Sequence, residues 1–172
     1  ESIYLNEVKF LLSESNYRLK NYDASIVNYK YLISIENKKY FNRSINKLGK
    51  IYLELKSYDE SLKFYKILNK NAVNNRELSD SYLGIINNFY NLKLYDSSIY
   101  YSQKLLRIDK VSYNIKNKAN LLIAKSFIEN DQNNNGIDYL LTTINLVKDE
   151  SGAEAQYLLA KIFYDKSQLN QS

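Results

Sequence analysis

The chain has no cysteine, histidine, proline, methionine or tryptophan among its 172 residues, and only four glycines. Each absence removes a class of protein. Without cysteine or histidine there are no disulfides, no thiol chemistry, no zinc site of the usual ligand sets and no imidazole general base. Lack of cysteine suits reducing and oxidising compartments alike. Four glycines are too few for a turn-rich β-sandwich. Proline costs ~3 kcal/mol inside a helix, so its absence favours uninterrupted helices. No apolar run reaches the length of a membrane span. The opening Glu1-Ser2-Ile3-Tyr4 carries neither an initiator methionine nor an apolar leader, and we expect an interior piece of a longer protein.

What is present is a chain with 45% apolar residues, enough to fold, and 18 tyrosines. Tyrosine fills an interface while keeping its hydroxyl wet. The net charge of +5 is unevenly held: residues 1–110 carry 18 Lys/Arg against 12 Asp/Glu, and residues 111–172 carry 6 against 7. This excess is dispersed, not clustered as a nucleic-acid face requires, so no specific nucleic acid is expected as a partner.

One phrase returns along the chain. Tyr22-Asp23-Ala24-Ser25 reappears as Tyr58-Asp59-Glu60-Ser61 and as Tyr95-Asp96-Ser97-Ser98, with degenerate copies at Asn133-Asn134-Asn135-Gly136 and Leu169-Asn170-Gln171-Ser172. Between Ser25, Ser61, Ser98, Gly136 and Ser172 the steps are 36, 37, 38 and 36 residues. A fixed period in this range marks stacked units that bury their apolar faces only against neighbours.

Each period reads as two helices. The apolar spacing predicts helices over 6–19 and 22–36, 42–55 and 58–71, 79–92 and 95–109, 115–130 and 134–149, with a lone helix over 152–166. Ser57 and Glu60, three apart, predict a capping box at the start of a second helix, with Asp59 favoured in the first turn by the helix dipole. Asn21 and Asp23 repeat the arrangement, whereas Leu94 takes the cap position before Asp96. Glu129–Gly136 reads as an Asn-rich turn. Where paired helices cross, the first offers Ser13, Gly49, Ala124 and Ala160, and the second offers Ser25, Ser61, Ser98, Gly136 and Ser172. Ile86 is the exception, with Gly84 and Ser98 as the neighbours expected to make room for it.

These residues resemble the tetratricopeptide repeat family. The second unit matches best, with Ile45, Leu48-Gly49, Tyr52, Ser61, Tyr65 and Leu68; the first unit carries Asn16 where the family has Tyr. Ser replaces the family's Ala at the crossing and the units are slightly long. The resemblance implies an all-α, right-handed α-α superhelix of about four and a half helix pairs over residues 1–172, and a non-catalytic scaffold or adaptor for protein–protein interaction. In the family the first helices line a concave groove for a peptide or partner protein. Equivalent inward positions here carry Glu14, Lys50, Asn87, Lys125 and Lys161, and one turn along Tyr17, Leu53, Tyr90, Ile128 and Tyr164 form a second row. Cations beside aromatics suit an acidic or carboxylate-ended peptide. Asn46, Lys50 and Asn87 are the residue types of the family's carboxylate clamp, but their order and spacing do not match it.

Other constellations read as structure. Asp131–Gly136 imitates the opening of a calcium loop and then fails, since Asp138 stands where an apolar residue is needed and Thr142 where Glu is needed; no metal or cofactor is expected. The pairs Tyr29/Tyr31, Phe64/Tyr65 and Tyr100/Tyr101 read as packing between second helices. The alternative functions are a helical-repeat nucleic-acid binder and a structural spacer. The closing segment Gly152–Ala160 resembles repeat arrays of large bacterial, Bacteroidetes-like envelope proteins, which implies a periplasmic or outer-membrane-associated setting. Leu158, Leu159, Ile162 and Phe163 are expected to stand exposed on the last helix and to drive self-association.

Overall fold

The computed structural model describes residues 3–146 and 148–169. Among the described residues there are nine helices and no strand: α1 (Ile3–Arg18), α2 (Tyr22–Ser34), α3 (Phe41–Glu54), α4 (Tyr58–Asn71), α5 (Asn75–Asn91), α6 (Tyr95–Leu106), α7 (Tyr113–Glu129), α8 (Asn133–Leu146) and α9 (Glu150–Leu169). The odd-numbered helices are the first of each pair and the even-numbered the second. No predicted boundary is off by more than four residues, the largest gap being the start of α5. There the Asn74 Oδ1 accepts the Glu77 backbone N–H at 2.9 Å and starts the helix early. The chain divides into two compact units, Glu1–Gly84 and Ile85–Ser172, the division falling within α5. In the first, α1 packs on α2, α2 on α3 and α3 on α4; in the second, α6 packs on α7, α7 on α8 and α8 on α9, and α7 also touches α9. None of the described helices is long and apolar enough to cross a membrane.

The turn inside each pair is built the same way. Lys20, Lys56, Lys93 and Asp131 adopt φ of 59°, 59°, 60° and 57°, the left-handed region. The backbone N–H of Lys56 donates to Leu53 O at 3.0 Å, and that of Ser57 donates to Tyr52 O at 2.8 Å. Asn21, Leu94 and Gln132 donate in the same way to Asn16, Phe89 and Phe127. This is the closure that normally uses glycine at the left-handed site. It also corrects the capping box. Ser57 stands at the N-cap of α4 but makes no side-chain cap bond, and neither does Asn21. The Ser57 N–H that Glu60 was to accept is already committed to Tyr52, and Glu60 instead pairs with Lys63 at 2.5 Å. Side-chain caps sit between pairs: Asn74 caps α5, and Asp149 accepts the Gly152 N–H at 2.9 Å at the start of α9. The Asn-rich turn is shorter than predicted, because Asn133–Gly136 already form the first turn of α8.

Helices within a pair nest at the small residues. Ser13, Ser25, Gly49, Ser61, Ser98, Ala124 and Gly136 are all buried. The Ser25 hydroxyl donates to Ser13 O at 2.9 Å and the Ser61 hydroxyl to Gly49 O at 2.8 Å, each twelve residues back. At Gly136 a Cβ would lie 3.1 Å from Ala124 O, the same neighbour at the same spacing. Ser98 stands opposite the exception, Ile86, and its buried hydroxyl has no partner. Gly84 does not make room for Ile86. It receives the Tyr65 ring, which is also 2.9 Å from where a Cβ would sit on Gly49. Ala160 is exposed, and Asn170, Gln171 and Ser172, from the last copy of the phrase, lie outside the described residues.

Aromatic pairs recur beside each crossing: Tyr52 with Phe64, Phe89 with Tyr101 and Phe127 with Tyr139, at centroid distances of 5.5, 5.3 and 5.9 Å. In the first pair of helices the same two positions are Asn16 and Asn28, whose amides bond back to Leu12 O and Ala24 O. Tyrosines of the second helices pack on first helices, where Tyr29 meets Phe10 edge-on at 5.9 Å and Tyr65 enters the Gly49–Gly84 gap, while Tyr100 and Tyr101 of α6 meet each other edge-on at 5.3 Å. Small residues on the first helices leave the room that the Tyr65 ring fills.

The expected apolar face of α9 is largely covered. Ile162 is 6% exposed, and Leu158 and Leu159 pack with Leu121, Ala124 and Leu140. Helix α9 turns these three toward α7 and α8, so of the four named residues only Phe163, 55% exposed, stands free, together with Tyr157 and Tyr164.

Candidate functional site

Each unit holds a hollow bounded by first helices. In the first unit α1, α3 and the start of α5 enclose ≈ 560 Å³ with an entirely polar lining that includes Glu14, Arg43, Asn46, Lys47, Lys50 and Arg76. In the second unit α5, α7 and α9 bound ≈ 240 Å³ lined by residues that include Asn87, Lys118, Leu122, Lys125 and Glu154. No second helix contributes a lining residue to either. The arrangement follows from the helices themselves. In α3 the core residues Ile45, Leu48 and Ile51 face inward, leaving Asn42, Asn46 and Lys50, at four-residue spacing, on another face.

Within the first hollow many charges neutralise one another. Glu14 accepts from Lys47 at 2.7 Å and from the Tyr29 hydroxyl. Burial alone raises the Glu14 carboxyl, but the bonds from Lys47 and Tyr29 and the nearby Arg43 hold it below the usual range. Asn42 bridges Asn71 O at 2.8 Å and Glu77 at 2.7 Å, and Asn46 reaches Asp80 at 3.2 Å, so these amides tie α3 to the end of α4 and the start of α5. The Arg43 guanidinium lies 4.2 Å above the Phe10 ring. Lys50 and Arg76 are both exposed, and among the described residues neither has a carboxylate within salt-bridge reach.

Of the expected residues, Asn87 and Lys125 line the second hollow, and Tyr90 lies beside Lys125 outside its lining. Lys125 pairs with Glu154 at 2.8 Å and lies 5.3 Å over the Tyr90 ring, so it is not a free cation. Burial, with the Glu129, Tyr95 and Glu154 charges behind it, pushes the Tyr90 hydroxyl up to about 12. Lys161 is exposed on α9 and lines neither hollow.

The aromatic row serves the scaffold. Tyr17 donates to Glu54 at 2.5 Å and Tyr22 donates to the other oxygen of the same carboxylate, clasping α1 and α2 to α3. Burial raises Glu54, yet the two hydroxyls and the charges of Lys20 and Lys50 bring it below the usual range; burial and Glu54 together drive Tyr17 upward. Lys47 lies 4.8 Å over the Tyr17 ring. Two repeats later the charge of Glu129 acts on both Tyr90 and Tyr95. Leu53 and Ile128 are half-buried and Tyr164 is exposed.

Arg43, Lys47, Arg76 and Asp80 belong to the first hollow and were not among the expected site residues. The polar stripe at four-residue spacing on α3 is the signal that could have found the first two. The calcium-like segment forms a separate hollow where the Lys166 ammonium donates to Asn134 Oδ1 at 2.9 Å, and no acidic cluster able to hold a metal occurs among the described residues. The chain matches no protein-family model and no curated protein.

Proposed function

We propose that the chain is a non-catalytic binding scaffold, a right-handed stack of tetratricopeptide-type helix pairs whose first helices present a concave polar surface to an acidic peptide or protein segment. One observation carries the reading: the ≈ 560 Å³ hollow of the first unit is lined from first helices and from the connection leading into one, with no contribution from a second helix. Lys50 and Arg76 in the larger hollow carry positive charge with no carboxylate within salt-bridge reach among the described residues, and guanidinium and ammonium groups in a preformed concavity suit carboxylates. Glu14 and Glu54 are not poised as general acids, because their partners hold them ionised where a general acid needs a raised value.

The test uses fluorescence anisotropy of a labelled hexaglutamate peptide against the intact chain, with Lys50→Glu and Arg76→Glu variants. The expected result is saturable binding that the double variant weakens by roughly tenfold or more, about 0.2–1 kcal/mol per exposed pair plus the added repulsion. Binding unchanged in the double variant would shift the partner surface to the second helices.

A further inference from the structure

Helix α1 leaves bare a face that other first helices bury. Val8, Leu11 and Leu12 are 57, 59 and 51% exposed. Stepping by the repeat interval, Val8 corresponds to Ser44, Ser81 and Ala119, each fully buried, and Leu12 corresponds to Leu48, Ile85 and Ile123, at most 1% exposed. In α3 and α7 this is the side packed on the preceding second helix, α2 and α6 respectively. The α1 face is thus one more copy of an interface already present in the fold.

From the same register comes the chemistry of the occupant. The position of Leu11 in α1 is Lys47 in α3, Gly84 in α5, Leu122 in α7 and Leu158 in α9. Gly84 receives the Tyr65 ring of α4. The counterparts of Tyr65 in α2, α6 and α8 are Tyr29, Ser102 and Leu140, so the rings fall in register with Lys47 and Gly84. A leucine at this position is met by serine or by leucine, never by a ring. Three residues beyond, the second helices α2, α4 and α6 carry Leu32, Leu68 and Leu105, all fully buried.

Charge adds a further requirement. In α3 the last helical residue is Glu54, which accepts the hydroxyl of Tyr22, the first residue of the helix packed against it. Glu129 ends α7, and its charge acts on Tyr95, the first residue of α6. At the end of α1 the register places Arg18 instead. Arg18 is exposed, and among the described residues no carboxylate lies within salt-bridge reach of it. Where internal first helices end on a carboxylate beside a tyrosine, α1 ends on a cation, and its face therefore calls for an acidic residue on the partner.

We propose that the outer face of α1 docks one amphipathic helix of the second-helix kind, acidic at its first residue, with a serine or leucine against Leu11 and a leucine three positions further on. This surface is distinct from the hollows and stands whether or not they bind a peptide. The probe is a helix-stapled synthetic peptide with the sequence of Tyr95–Leu106 carrying Tyr95→Glu, stapled because isolated helices this short are marginal in water. One comparison peptide adds Ser102→Tyr, which sets a ring against Leu11; another carries Tyr95→Lys in place of the glutamate. Anisotropy with the full chain should show saturable binding of the first peptide and at least about tenfold weaker binding of the ring peptide. The lysine peptide should bind several-fold more weakly, and Arg18→Glu should reverse the preference between glutamate and lysine. Leu12→Glu should abolish binding, and Leu11→Ala should favour the ring peptide; circular dichroism checks that each variant, altered only at exposed positions, remains helical. Absence of binding by the glutamate peptide overturns the proposal. So does equal binding of the ring peptide, binding that survives Leu12→Glu, a charge preference that Arg18→Glu leaves unmoved, or sedimentation showing that α1 instead pairs with α1 of a second copy.

Discussion

Replacing Gly84 with alanine tests the nesting of ring and small residue most sharply. In an exposed helix interior this change stabilises by about 0.8–1 kcal/mol, because alanine is the better helix former. Here the added methyl falls against Cγ, Cδ1 and Cε1 of Tyr65, so the obstruction is at the root of the ring and not at its flexible end. Tyr65 is 3% exposed and its far edge already abuts Gly49, so it has no free space to move into. Overpacking of this kind costs ~1–3 kcal/mol, and expelling the ring forfeits a further ~1.5–3 kcal/mol of burial. The net expectation is destabilisation by about 2 kcal/mol. In a Tyr65→Ala background the same substitution meets no ring and should recover the propensity gain. Urea unfolding followed by far-ultraviolet circular dichroism, run as a double-mutant cycle, should yield a coupling of ~2–3 kcal/mol. If Gly84→Ala stabilises both backgrounds equally, the ring does not occupy the gap and the packing argument is wrong.

Three further outcomes follow from the same structure. Gly136→Ser should exceed Gly136→Ala in stability by about 1 kcal/mol, since its hydroxyl can donate to Ala124 O as Ser25 and Ser61 donate to Ser13 and Gly49; chemical denaturation of the two variants decides it. Lys56→Gly should be neutral to stabilising by up to about 1 kcal/mol, as relief at φ 59° offsets the added chain entropy, whereas Lys56→Ala should not gain; a gain from alanine would contradict the left-handed turn. Glu14 and Glu54 titrate below their unfolded values, so their contribution is complete above about pH 4.3 and is lost as pH falls through the folded values. Tyr17 and Tyr29 titrate above theirs, so their share persists below about pH 10 and fades as the solution becomes more alkaline. Melting temperature should form a plateau between these limits, and Glu14→Gln should flatten its acid edge; an unchanged acid slope would remove Glu14 from the account.

Much of the fold was legible because its signals are local. The recurring Tyr-Asp phrase located the second helices, and the small residues twelve apart located their crossings. Even the weak first repeat made sense on its own terms, since Asn16 and Asn28 replace both members of one aromatic pair. The capping box was misread because the Ser57 N–H is used by a closure that depends on Lys56 adopting a left-handed conformation, which a lysine does not advertise. The site was harder. Lys50, Asn87 and Lys125 do line the hollows, but Tyr17 and Lys125 are bound to carboxylates thirty-seven and twenty-nine residues further along, pairings that no local spacing reveals. Arg76 enters the first hollow only because Asn74 starts α5 early.

The most direct measurement of the central claim is a nitrogen-15 chemical-shift titration of the intact chain with hexaglutamate. The account predicts perturbations concentrated on α3 around Lys47–Lys50 and on the first turns of α5 around Arg76, with the second helices unmoved. Perturbations confined to α2, α4, α6 and α8 would contradict it.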